Sequence, residues 1–131
     1  MVIRKFILVI MLFVCNFLYA NESIQYEVPE LNEENVLIQI KKHEIPHPHI
    51  VLAQSKLESG NYKSKLTKTH NNIFGIKRGN KYKKYKNYIE CIADYKRLIS
   101  SRYKGGDYYK FLDKIKYAEK SYTIILKKLV K

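Results

Sequence analysis

The chain has 131 residues, enough for one domain. Its formal charge is +13, and twelve tyrosines with no tryptophan dominate its aromatic content. Two cysteines are too few for a disulfide-stapled miniprotein, and the five glycines form no phosphate-binding loop, since the lysine–serine/threonine element is missing.

The first twenty residues stand apart. Arg4 and Lys5 precede an unbroken apolar run, Phe6 to Val14, and Tyr19-Ala20 offers a small residue for processing. This is the pattern of a secretory signal peptide over residues 1–20, too short in its apolar part for a membrane span. Val14 is too bulky for a lipid-attachment site at Cys15. Losing the leader removes two basic residues from +13 and leaves +11. An exported protein of that charge, secreted or periplasmic, is expected to meet an anionic wall polymer or membrane surface rather than nucleic acid. Cys91 alone then remains, so packing must hold the core, and a monomer is expected.

Residues 21–31 contain Pro29 and read as a flexible lead-in to a domain over 32–131. Asn32 can cap a helix that buries Val36, Leu37 and Ile40. Pro46 and Pro48 must break it, and Pro48 suits the first turn of a second helix. Ile50, Ala53 and Leu57 line one side of that helix. Val51, Gln54 and Glu58 lie on the adjoining side, and Gly60 is placed to end it. The stretch 61–72 predicts a short irregular helix and a loop. From Ile73 to Tyr88 the pattern allows either a small hairpin turning at Gly79-Asn80 or a lysine-rich loop. Asn87 followed by Glu90 suggests a capping box, leading a helix through Cys91, Ile92, Tyr95, Leu98 and Ile99. Asp107 can cap a short helix after Gly105-Gly106. A last helix is expected over Glu119 to Val130, with Tyr122, Ile125, Leu126 and Leu129 facing inwards. The sum is a mainly helical domain with at most a small β element.

Glu58 carries the chemistry. It ends an apolar-patterned helix, where partial desolvation and the negative helix terminus both favour the protonated carboxyl. A protonated carboxylic acid is what a departing glycosidic oxygen needs. A solvated surface glutamate is the competing reading. His43, His47, His49 and His70 lack zinc-ligand spacing, because Pro46 interrupts the pair four apart, so neither metal nor cofactor is expected. Cys91 falls on an apolar stripe and reads as a small buried hydrophobe.

Four segments in order carry a resemblance. They are Ile50-Val51-Leu52-Ala53-Gln54-Ser55-Lys56-Leu57-Glu58-Ser59-Gly60, Asn71-Asn72-Ile73-Phe74-Gly75-Ile76-Lys77, Tyr85 to Tyr95, and Tyr117-Ala118 with Tyr122. Together they resemble glycoside hydrolase family 73, the flagellar-muramidase-type N-acetylglucosaminidases. The resemblance implies a lysozyme-like fold with a small, compressed β-lobe. It also implies hydrolysis of the β-1,4 bond between N-acetylglucosamine and N-acetylmuramic acid in peptidoglycan glycan strands. It makes Glu58 the general acid and Tyr117 the tyrosine beside it, and gives Asn72, Phe74 and Tyr88 to the substrate cleft. It leaves Asp94 and Tyr95 to hold their helix in place.

The sequence departs from the family pattern. Asn87 and Cys91 replace serines, the closing Thr-Asp-Pro is missing, and the Tyr117–Tyr122 spacing is one residue short. Residues 77–89 contain no acid, whereas larger members place a second carboxylate there. Glu90 is the nearest later acid, with a competing capping role. Attack by the substrate's own N-acetyl group or by a water held by polar neighbours is therefore expected. A lytic transglycosylase and a non-catalytic wall-binding protein are the alternatives.

Overall fold

The computed structural model describes residues 26–130. The expected signal peptide, and Cys15 with it, lie outside the described residues.

Helix α1, Glu33–Lys42, starts where Asn32 accepts the Asn35 amide at 2.9 Å. Its acidic first turn and basic last turn suit the helix dipole. Helix α2, Pro48–Ser59, has Pro48 in its first turn, and the preceding His47 is left-handed at φ 53°. Its buried residues are Val51, Leu52, Ala53, Gln54, Ser55 and Ser59, which is broader than one stripe. The reason is position: α2 packs against α1 and against the last helix, α6 (Tyr122–Leu129), so two of its faces are covered.

Helix α3, Lys65–His70, is capped by Ser64, whose hydroxyl accepts the Thr67 amide at 3.1 Å. The stretch that could have been loop or hairpin is a hairpin. Strands β1, Lys77–Arg78, and β2, Lys81–Tyr82, pair antiparallel, with Lys77 opposite Tyr82 and Arg78 opposite Lys81. Gly79 supplies the positive φ of 60° that the first position of its two-residue turn needs.

Helix α4, Tyr88–Leu98, buries Tyr88, Cys91, Ile92, Asp94 and Tyr95. Asn87 caps it by accepting the Ile89 and Glu90 amides. Glu90 reaches back to the Lys86 amide at 3.0 Å, one residue before the partner of an ordinary capping box. A 3₁₀ turn, Ser100–Arg102, leads to α5, Tyr108–Lys114, capped by Asp107.

Helix α6 corrects two expectations. It starts at Tyr122 rather than Glu119, and it turns Tyr122, Thr123 and Leu126 inwards. Ile125 and Leu129 are 45% and 52% exposed. The helix packs against α2 and also against α5, where the Thr123 hydroxyl donates to Asp113 Oδ1 at 3.1 Å, so Tyr122, Thr123 and Leu126 form the covered row. The result is a lysozyme-like, mainly helical domain with a two-stranded lobe at one edge.

Candidate active site

Glu58 sits in the last turn of α2, and the chain reverses directly after it. Gly60, Asn61 and Tyr62 have φ of 56°, 53° and 65°, three left-handed residues in succession. Left-handed backbone costs a non-glycine residue on the order of 1–2 kcal/mol. Local bonds offset that cost. The Asn61 amide donates to Lys56 O at 2.8 Å, the Tyr62 amide to Ser59 Oγ at 2.9 Å, and the Ser64 amide to Ser59 O at 3.0 Å. Only Gly60 was legible from the sequence.

The Glu58 carboxyl is half-buried. A Cβ placed on Gly75 would lie 3.3 Å from its Oε2, so the glycine lets the loop backbone approach the acid closely. Gly75 has φ +64°, a conformation that further selects glycine. Burial pushes the Glu58 pKa above the usual carboxylate value. The Tyr122 hydroxyl beside the carboxyl opposes the rise without cancelling it.

A buried polar chain stands behind Tyr122. Tyr95 donates to Gln54 Oε1 at 2.7 Å, so Tyr108, 3.0 Å away, must donate to Tyr95. Gln54 Nε2 donates to the Tyr122 hydroxyl at 3.4 Å. Every donation runs towards Glu58, and such chains polarise cooperatively. Gln54 and Tyr95 are completely buried. Gln54 lies four residues before Glu58, on the helix face where the sequence put it. Its partners come from α4 and α6, which no local pattern reveals.

A groove of about 340 Å³ opens in front of the acid. Glu58, Phe74 and Tyr117 line it together. Phe74 stacks on Tyr95 with centroids 4.3 Å apart, and the Tyr117 hydroxyl donates to Phe74 O at 3.3 Å. Asn72 and Tyr88 do not line it. Asn72 is fully buried and braces the loop: its Nδ2 donates to Ile76 O and Lys83 O, and its Oδ1 accepts the Ile76 amide. Tyr88 is 3% exposed, because its place on the apolar stripe of α4 turns it into the core near Tyr62.

Two further residues expected to be structural are so. Asp94 accepts bonds from Lys83, Tyr85 and Arg97, tying the lobe to α4. Burial opposes ionisation there, but the three donors hold the carboxyl below its usual range. The Cys91 thiol is buried and pushed up to about 12, which removes it as a nucleophile.

Glu58 is the only carboxylate among the residues lining the groove, whereas Lys77, Arg102 and Lys116 line it with positive charge. Glu90 caps α4 and borders a different hollow, with Asp94 and Arg97. Another hollow, about 510 Å³, lies between α2 and the end of α6, and the acid that lines it, Glu33, pairs with Lys56 at 2.6 Å.

A helical body, a small sheet and a groove holding a half-buried carboxyl make a lysozyme-like domain with one candidate acid in its cleft. The chain belongs to the glucosaminidase family: the family model for mannosyl-glycoprotein endo-beta-N-acetylglucosaminidase matches residues 34–131. No curated protein and no solved structure matches it significantly.

Proposed function

We propose that this chain is an exported peptidoglycan hydrolase. In this reading it cleaves the β-1,4 bond between N-acetylglucosamine and N-acetylmuramic acid, with Glu58 as general acid. The observation that carries the reading is the Glu58 carboxyl itself: half-buried, raised in pKa, and open to a groove of about 340 Å³. Desolvation keeps the proton on the acid until the leaving oxygen takes it. Tyr117 and Phe74 flank the reacting bond, and Tyr122 with Gln54 behind it fixes the carboxyl's orientation.

Among the described residues no second carboxylate lines the groove, so the attacking group in this reading comes from the substrate's N-acetyl oxygen or from a water held beside the acid. The two routes differ in stereochemistry. N-acetyl assistance retains the anomeric configuration, and a single water attack inverts it. The same single-acid arrangement favours a second reading, a lytic transglycosylase, in which the muramic acid hydroxyl attacks its own anomeric carbon.

Purified peptidoglycan incubated with residues 21–131 and with their Glu58→Gln form decides the matter. Mass spectrometry of released fragments should find reducing N-acetylglucosamine ends. Loss in the variant is expected to be roughly a hundred- to ten-thousand-fold. Anhydro-muramic ends would assign the transglycosylase. Equal release by both forms would remove Glu58 from the reaction. Binding without release by either form would leave a wall-binding protein.

A further inference from the structure

A second hollow of about 430 Å³ adjoins the Glu58 groove, and Arg102 and Ile115 line both spaces. Tyr103, Phe111 and Ile115 give it an apolar wall, with the Tyr103 and Phe111 rings edge to face at 5.3 Å. Arg102, Lys104, Lys110 and Lys114 surround that wall. No ion pair among the described residues engages any of the four. Asp107, the one acid in the hollow, is occupied as the cap of α5, where its Oδ1 accepts the Tyr109 and Lys110 amides at 2.9 and 3.2 Å. The Tyr103 hydroxyl is occupied too, by Gly106 O and the His47 ring. What remains for a ligand is unpaired positive charge around an apolar floor. That combination suits a short peptide bearing carboxylates and aliphatic side chains. A bare polyphosphate chain would use the cations but not the wall.

We propose that this hollow is a subsite for the acidic peptide branch of the glycan strand cleaved at Glu58. The inference rests on the wall-cleaving reading above. Arg102 stands on the boundary and bridges the sugar-binding groove to the branch. Lys104, Lys110 and Lys114 take the branch carboxylates, and Phe111 and Ile115 take its aliphatic groups.

The test reads binding in Glu58→Gln protein by titration calorimetry, so turnover is not required. The probes are a soluble N-acetylglucosamine–N-acetylmuramic acid disaccharide carrying the peptide, the same disaccharide without peptide, its form with amidated peptide carboxylates, and a soluble teichoic acid. Replacing Lys104, Lys110 and Lys114 by Gln should weaken the peptide-bearing probe about five- to tenfold and leave the stripped disaccharide unchanged. Amidation should weaken binding to the unsubstituted protein to a similar degree. Replacing Lys41, Lys42 and Lys68 by Gln removes the same charge from exposed positions that line neither space, and should change nothing. Equal weakening by both triple replacements would assign the effect to bulk charge and overturn the proposal. Indifference to amidation, or a loss confined to teichoic acid, would also overturn it. Wild-type protein that cleaves no wall yet binds the branch through these lysines would remove the glycosidase reading and keep the subsite. Normal cleavage with unchanged binding in every variant would do the reverse.

Discussion

Glu58 and Gly75 meet across the groove, and the contact makes opposite demands on stability and function. The Glu58 pKa is raised in the fold, so its contribution is fully present below the ordinary glutamate value of about 4.3 and is lost as pH rises through the higher folded value. Above that folded value the ionised acid therefore destabilises the protein. Glu58→Gln should melt higher than wild type in alkali, and the gap should close as the pH falls below the glutamate range; thermal melts across pH check it. Gly75→Ala should act through geometry. Its positive φ costs the new side chain about 1–2 kcal/mol, and its Cβ displaces the nearby Oε2. The carboxylate is the far end of a flexible side chain and gives way cheaply, but a displaced acid is a poor one. Activity should fall about tenfold or more with a loss of stability near 1 kcal/mol, read by end-group release and denaturant melts.

Caps and breakers made most of the helices legible: Asn32, Pro48, Gly60, Asn87 and Asp107 all stand where their side chains or φ angles set a boundary. Helix α6 was misplaced because no such residue marks its start, where Ser121 makes no side-chain cap bond. Its inward row was misread because apolar residues fall on two adjacent rows, and contacts with α2 and α5 together decide between them. Glu58 was legible through its place on a patterned helix and through the family motif. The burial of Asn72 and Tyr88 was not, since a motif residue can brace a cleft without facing it. The brace between lobe and α4 is itself testable. Asp94 is held low in pKa, so its contribution is present above the ordinary aspartate range and is lost as pH falls through the folded value. Asp94→Asn should cost about 2 kcal/mol near neutral pH and progressively less in acid, seen in urea melts at several pH values.

Across the molecule, charge and compactness oppose one another. A formal +13 is a large excess for this length, and like charges on one small domain repel. Added salt should therefore raise the melting temperature while weakening adsorption to isolated walls. Calorimetry and a sedimentation assay over the same salt series would show the two trends diverging; a melting temperature that falls with salt would contradict the balance. The hairpin has a different weakness. Each of its strands has two residues, and all four are exposed. Just beyond it, residues 83–86 are tied down by the side chains of Asn71, Asn72 and Asp94, by the Tyr85 amide donating to His70 O, and by the buried Tyr85 ring. Lys77 is the strand residue that also lines the Glu58 groove, so the groove's positive charge depends on where this lightly buried hairpin sits.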